Sequence, residues 1–233
     1  VTEKSIPGPG EETPLELDES MLASGAATPK DPRADFETGM SYAPLVSLAL
    51  IAVCTVVFVW EVVGGALKSS EALIAAGALS REELLGGEYW RLASPVLLHG
   101  SPSHLIGNMM ALYVLGVALE HAVGRGRMLF LFVGSGLAGS IASVATQPGP
   151  SVGASGAIFG MMGAVIVLLH RYRDVVRIRD NRVGGVLVAW AAYTLLLGAF
   201  DPFIDNAAHL GGLVGGALLA YAVAAPRFAT QEG

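Results

Sequence analysis

Ser155 stands in Gly153-Ala154-Ser155-Gly156 and His209 in Ala208-His209-Leu210-Gly211-Gly212, both within long apolar runs. A serine hydroxyl is a poor nucleophile until a base takes its proton, and a histidine in hydrogen-bond reach is the smallest unit that does so. The chemistry on offer is acyl transfer, which also needs donors for the oxyanion developing on the attacked carbonyl. His104 and Asn108 are four residues apart, so they share one helical face and are candidate donors. A helix opening at Ser155 adds unpaired amides and partial positive charge. Gly153 and Gly156 relieve the steric limits on a tight loop entering that helix.

Ionisable and amide groups in membrane spans are costly, and usually face a protein interior or a water-filled cavity. Not all of them point to chemistry. Ser135, Ser140 and Ser143 read as packing residues, Glu120 as a structural cap or ion-pair partner, and His121 and His170 as solvated helix ends. His99 lies five residues before His104, off its face, and neither a carboxylate nor a cysteine completes a zinc set. No metal is expected. Cys54, the single cysteine, can form no internal disulfide.

Ser155 and His209 meet only if the elements bearing them pack closely. The chain has 233 residues, 53% hydrophobic and 15% charged, against roughly 25% charged in an ordinary soluble domain. Residues 1–40 hold nine acids and three bases and so carry the whole formal charge of −6. Rich in Pro and Gly, this segment reads as a disordered acidic tail without the basic and apolar regions of a signal peptide. The acidic balance and the lack of a basic patch argue against nucleic acid as a partner.

The remaining chain divides into apolar runs of membrane-spanning type. The first covers residues 43–60, extending to 63. A long connection over 64–102 follows, with short amphipathic pieces around Glu71 and Glu82-Glu83. The second span covers 103–123, and Gly124-Arg125-Gly126-Arg127 reads as a basic turn. Residues 128–169 contain no Asp, Glu, Lys or Arg. Gln147-Pro148-Gly149-Pro150 breaks this stretch into spans at 128–146 and 155–170. The latter, about 24 Å long, falls short of a core about 30 Å thick, so its N-terminus should begin below the membrane surface. Spans five and six cover 183–200 and 206–225, separated by an acidic turn at 201–205. Gly156, Gly160 and Gly163 on span four face Gly212 and Gly216 on span six, which allows nearly backbone-to-backbone packing.

Six spans place both termini on one side, where 11 of the 14 Lys and Arg residues would lie. Lys68, Arg81 and Arg91 fall on the other. The positive-inside rule then makes the termini cytoplasmic and the long first loop external. The expected organisation is a disordered cytoplasmic tail (1–40), a membrane domain (41–226) and a short cytoplasmic C-terminal tail (227–233).

The ordered set of motifs resembles the rhomboid family of intramembrane serine proteases. His99-Gly-Ser-Pro-Ser-His104-Leu-Ile-Gly-Asn108 is similar to its second-span motif, Gly153-Ala154-Ser155-Gly156 to its nucleophile motif, and Ala208 to Gly216 to its catalytic-histidine span. Trp90-Arg91 resembles the structural Trp-Arg element of its first external loop. The resemblance implies an all-α, six-transmembrane-helix bundle of a bacterial plasma membrane. It implies a Ser155–His209 dyad in a water-filled cavity, with His104, Asn108 and the Ser155 amide around the oxyanion. It implies no cofactor, and substrates that are single-pass or other membrane proteins cut within the bilayer. Phe159 occupies a position where some members carry Tyr, and stacking on His209 survives that change. Asp205, four residues before His209, reads as a cap of span six rather than a third catalytic member. A family member that binds client helices without cutting, or a small transporter, would also place polar groups in the membrane; both Ser155 and His209 are present, and the spans show no internal repeat.

Overall fold

The computed structural model describes residues 33–146, 149–180, 182–201 and 204–223. The first 32 residues and the 227–233 tail lie outside the described residues. The described chain is built from helices: α1 (Leu45–Gly64), α2 (Ser70–Ala75), α3 (Arg81–Leu85), α4 (Pro102–Val123), α5 (Arg125–Thr146), α6 (Ser155–Arg171), α7 (Val183–Gly198) and α8 (Asn206–Val223). Three of these, α1, α4 and α5, are each long and apolar enough to cross a membrane by themselves, while α6 and α7 are shorter apolar helices. Much of the apolar surface points outward, including Val53, Val56 and Val63 on α1 and Val186, Tyr193 and Leu196 on α7. Such faces suit lipid rather than water.

Each helix end has an identifiable cause. Pro44 precedes α1 without a side-chain cap, and the missing acceptor comes from Glu120 on α4. Its carboxylate accepts the Val46 amide at 3.3 Å, and the Ser47 amide and hydroxyl at 2.8 Å each. Glu120 thus caps a neighbouring helix, and Arg125 lies 3.8 Å from it. At the other end Gly65, at φ 77°, closes α1 in the left-handed conformation. Ser101 caps α4 by accepting the His104 amide at 3.2 Å, with Pro102 in the first turn.

The connection over 65–101 is ordered by Arg91. Its buried guanidinium donates to the carbonyls of Ile74 at 2.5 Å and Ala78 at 2.9 Å, and to Glu88 at 2.8 Å. Trp90 lies against Gly77, which has φ 114°; a Cβ there would meet the indole at 3.1 Å. The ordered loop then grips the segment leading into α6. Leu79 and Ser151 exchange both backbone hydrogen bonds, at 3.0 and 2.9 Å, and the Gly153 amide donates to the Pro95 carbonyl at 2.8 Å.

At the centre α5, α6 and α8 pack through small residues. A Cβ on Gly156 would lie 3.2 Å from the Ala208 carbonyl, and one on Gly139 would lie 2.8 Å from the same oxygen. Methyls at Gly212 and Gly216 would collide with the carbonyls of Gly156 and Gly160. The glycine row pairs α6 with α8, as the spacing of the glycines suggests, and α5 joins them as a third member. By contrast, α7 buries only Leu187 and Ala191.

Three expectations need correcting. The turn expected over 124–127 is reduced to Gly124, and α5 starts at Arg125, because arginines are tolerated in a first turn that lies outside the apolar run. Residues 33–40 are not a free tail: Ala34–Asp35 pairs in parallel with Val176–Arg177, in the register Ala34↔Val176 and Asp35↔Arg177. His121 is not simply solvated, since its Nε2 lies 2.7 Å from the Phe36 carbonyl and its ring meets Phe36 edge-on.

Candidate active site

Ser155 is the first residue of α6, where backbone amides lack helical partners. It is reached through Gly153 at φ 122°, a conformation that a Cβ would strain. Ala154 is fully buried and makes no side-chain cap, so the helix end stays open beside the half-buried Ser155.

Four residues on, and therefore on the same face, Phe159 stacks flat against His209 with ring centroids 4.2 Å apart and an interplanar angle of 1°. His209 is 5% exposed. The contact of Gly156 with Ala208 joins the chain neighbours of Ser155 and His209, so the two helices present both residues at one level. The His209 Nδ1 is buried and has no hydrogen-bond partner among the described residues.

His104 and Asn108 flank the turn before Ser155. A Cβ on Gly153 would fall 2.6 Å from both Cε1 and Nε2 of His104 and 3.5 Å from Nδ2 of Asn108. The Asn108 Nδ2 is a buried donor with no acceptor among the described residues. A donor left in that condition costs free energy in a resting protein, and becomes useful once an acceptor develops in front of it.

Asp205 is engaged elsewhere. One carboxylate oxygen accepts the Ala208 amide at 2.9 Å, and the other accepts the hydroxyls of Ser143 at 2.5 Å and Ser151 at 2.7 Å. It caps α8 and ties that end to α5 and to the loop entering α6. No group of three or more His, Cys, Asp or Glu among the described residues is arranged to hold a metal.

A family model for the Rhomboid domain matches residues 86–226. The chain belongs to the rhomboid family. It is 38% identical over 170 residues to Rhomboid protease GluP of Bacillus subtilis (strain 168), covering 73% of this chain and 33% of that protein. It is 35% identical over 137 residues to Putative rhomboid protease YdcA of the same organism, covering 58% and 67%. Rhomboid protease AarA of Providencia stuartii is 30% identical over 201 residues, covering 76% and 71%. This rhomboid chain thus spans about a third of the length of GluP. Together with its apolar helices, membership makes it an integral membrane protein.

Two buried residues of this rhomboid chain were not singled out as a pair in the sequence. Glu61 on α1 is 0% exposed; one carboxylate oxygen accepts the His99 amide at 3.1 Å, and the other has no partner among the described residues. The His99 ring is equally buried and lies edge-on to His104, with centroids 5.3 Å apart. Burial pushes the His99 imidazole down to about 4, which keeps it neutral at ordinary pH. The one available signal was a lone glutamate near the end of an apolar run.

Proposed function

We propose that this rhomboid chain is an intramembrane serine endopeptidase, with Ser155 as nucleophile and His209 as general base. The observation that carries the reading is the glycine-mediated contact of α6 with α8, which holds Ser155 and the Phe159-stacked His209 at one level. The names of three relatives as rhomboid proteases, one of them putative, support the same class.

In the mechanism His209 takes the Ser155 proton as Oγ attacks the scissile carbonyl carbon. The Ser155 amide, His104 and Asn108 receive the oxyanion. Collapse expels the amine, which leaves with the proton from His209. Water then attacks the acyl ester with His209 again as base, releasing the carboxylate and restoring the hydroxyl. Loss of one oxyanion donor typically lowers kcat by about 10²–10³-fold. Six spans with cytoplasmic termini would place the Ser155 end of α6 toward the outer face, and the substrate helix must unwind locally to present its peptide bond.

The test uses purified chain in proteoliposomes with a tagged transmembrane substrate. The parent should yield two fragments, and Ser155→Ala should yield none. Equal cleavage by Ser155→Ala would sink the proposal. A parent that neither cuts the substrate nor accepts a fluorophosphonate on Ser155 would instead point to the client-binding reading.

A further inference from the structure

A cavity that shares no lining residue with the candidate active site lies between the C-terminal end of α6 and the first half of α7, with a volume of about 890 Å³. That is near the upper end of the roughly 300–1,000 Å³ typical of small-molecule sites. Its lining is divided by chemistry. Leu169 from α6 and Val188 and Ala192 from α7 supply an apolar wall, while Arg173, Arg177 and Arg179 from the intervening connection, together with Arg33 and His170, supply a basic rim. Among the described residues no carboxylate lines it.

The acids that meet these arginines stand outside the cavity. Asp174 is 3.8 Å from Arg173, Asp35 is 3.6 Å from Arg177 and 3.3 Å from Arg179, and Glu37 is 3.2 Å from Arg179. The three arginine side chains remain 47–67% exposed, so these pairs are weak and a phosphate can compete for them. The first turn of α7 carries no acidic side chain and no side-chain cap. Its N-terminus is met instead by the Asp180 carboxylate, which accepts the Arg182 amide and pairs with the Arg182 guanidinium at 3.0 Å, so the positive charge of the rim comes from the arginines.

An occupant must match both halves. A free anion would satisfy the rim and leave the apolar wall wet. From Gly184 to Ala192 the wall runs about 12 Å along α7, a depth suited to part of an acyl chain. We propose that this cavity binds one anionic phospholipid, its phosphate on Arg173, Arg177 and Arg179 and an acyl chain along Leu169, Val188 and Ala192. These arginines belong to the basic set that marks the cytoplasmic side, where anionic lipid headgroups meet basic pockets between helices.

The experiment reconstitutes the full chain in nanodiscs of mixed phosphatidylglycerol and phosphatidylcholine, extracts it gently, and counts retained lipids by native mass spectrometry. One phosphatidylglycerol per chain should be retained in preference to phosphatidylcholine, and inorganic phosphate should not displace it. Each arginine near the surface contributes a factor of about five, so Arg173→Gln/Arg177→Gln should weaken retention about 25-fold. Arg173→Lys/Arg177→Lys should keep most of the preference, which separates loss of charge from loss of fold. Ala192→Trp, which fills the slot with the charges intact, should also expel the lipid. Equal retention of the two lipids, displacement by phosphate, or indifference to either Arg→Gln or Ala192→Trp would overturn the proposal. The readout needs no proteolysis, so it stands or fails apart from the proposed activity.

Discussion

A single methyl at Gly212 tests whether backbone contact between α6 and α8 sets the catalytic geometry. The added Cβ would press on the Gly156 carbonyl, with the carbonyl carbon at 2.7 Å and Cα at 3.1 Å, where ordinary Cβ contacts lie at 3.4–4 Å. Both partners are backbone, so no side chain can swing aside and the helices must separate by most of an ångström. Overpacking of this kind costs about 1–3 kcal/mol in stability. The separation falls one residue from Ser155 and three from His209. A misplacement of about 1 Å can cost about 10²-fold in rate. Gly212→Ala should therefore lower kcat on a transmembrane substrate about 10²-fold, with helix content retained and KM little changed. Gly107→Ala is the control, since a Cβ there meets nothing within 4 Å. Turnover by Gly212→Ala within twofold of the parent, in a thermally intact protein, would refute the reasoning.

Glu120→Ala strips the acceptor from the Val46 amide and from the amide and hydroxyl of Ser47. At about 1–3 kcal/mol per buried unpaired group, it should lower the thermal midpoint in detergent clearly, and Glu120→Gln should lower it less. Glu61→Ala frees the amide of His99, whose ring lies against that of His104, so turnover should fall while fluorophosphonate still labels Ser155. Glu61→Gln, which keeps an acceptor oxygen, should restore most of the turnover; labelling and turnover lost in equal proportion would contradict that account.

The long helices were legible because apolar runs leave few alternatives once charges are confined to their ends. The helices α1 and α5 end at Gly64 and Thr146, next to the Gly and Pro residues that read as breaks in the sequence. The Gly124 turn was read too long because Arg125 and Arg127 look the same in a loop as in a first helical turn. Gly156, Gly160, Gly212 and Gly216 announced a close helix pair by their spacing. The glycines and serines of α5 gave no hint of which neighbours they meet, and the third member of the packing went unread. Glu61 and His99 come together through a backbone amide, which leaves no mark in residue type. The pairing of Ala34–Asp35 with Val176–Arg177 likewise rests on backbone hydrogen bonds between two polar segments.

The sparse burial of α7 divides the molecule by durability. Local opening is governed by how much buried contact a segment must give up, and α7 gives up little more than Leu187 and Ala191. Hydrogen exchange should therefore reach its amides long before those of α5, α6 and α8. Ser155 and His209 sit in the part that opens last, beside a wall that opens first.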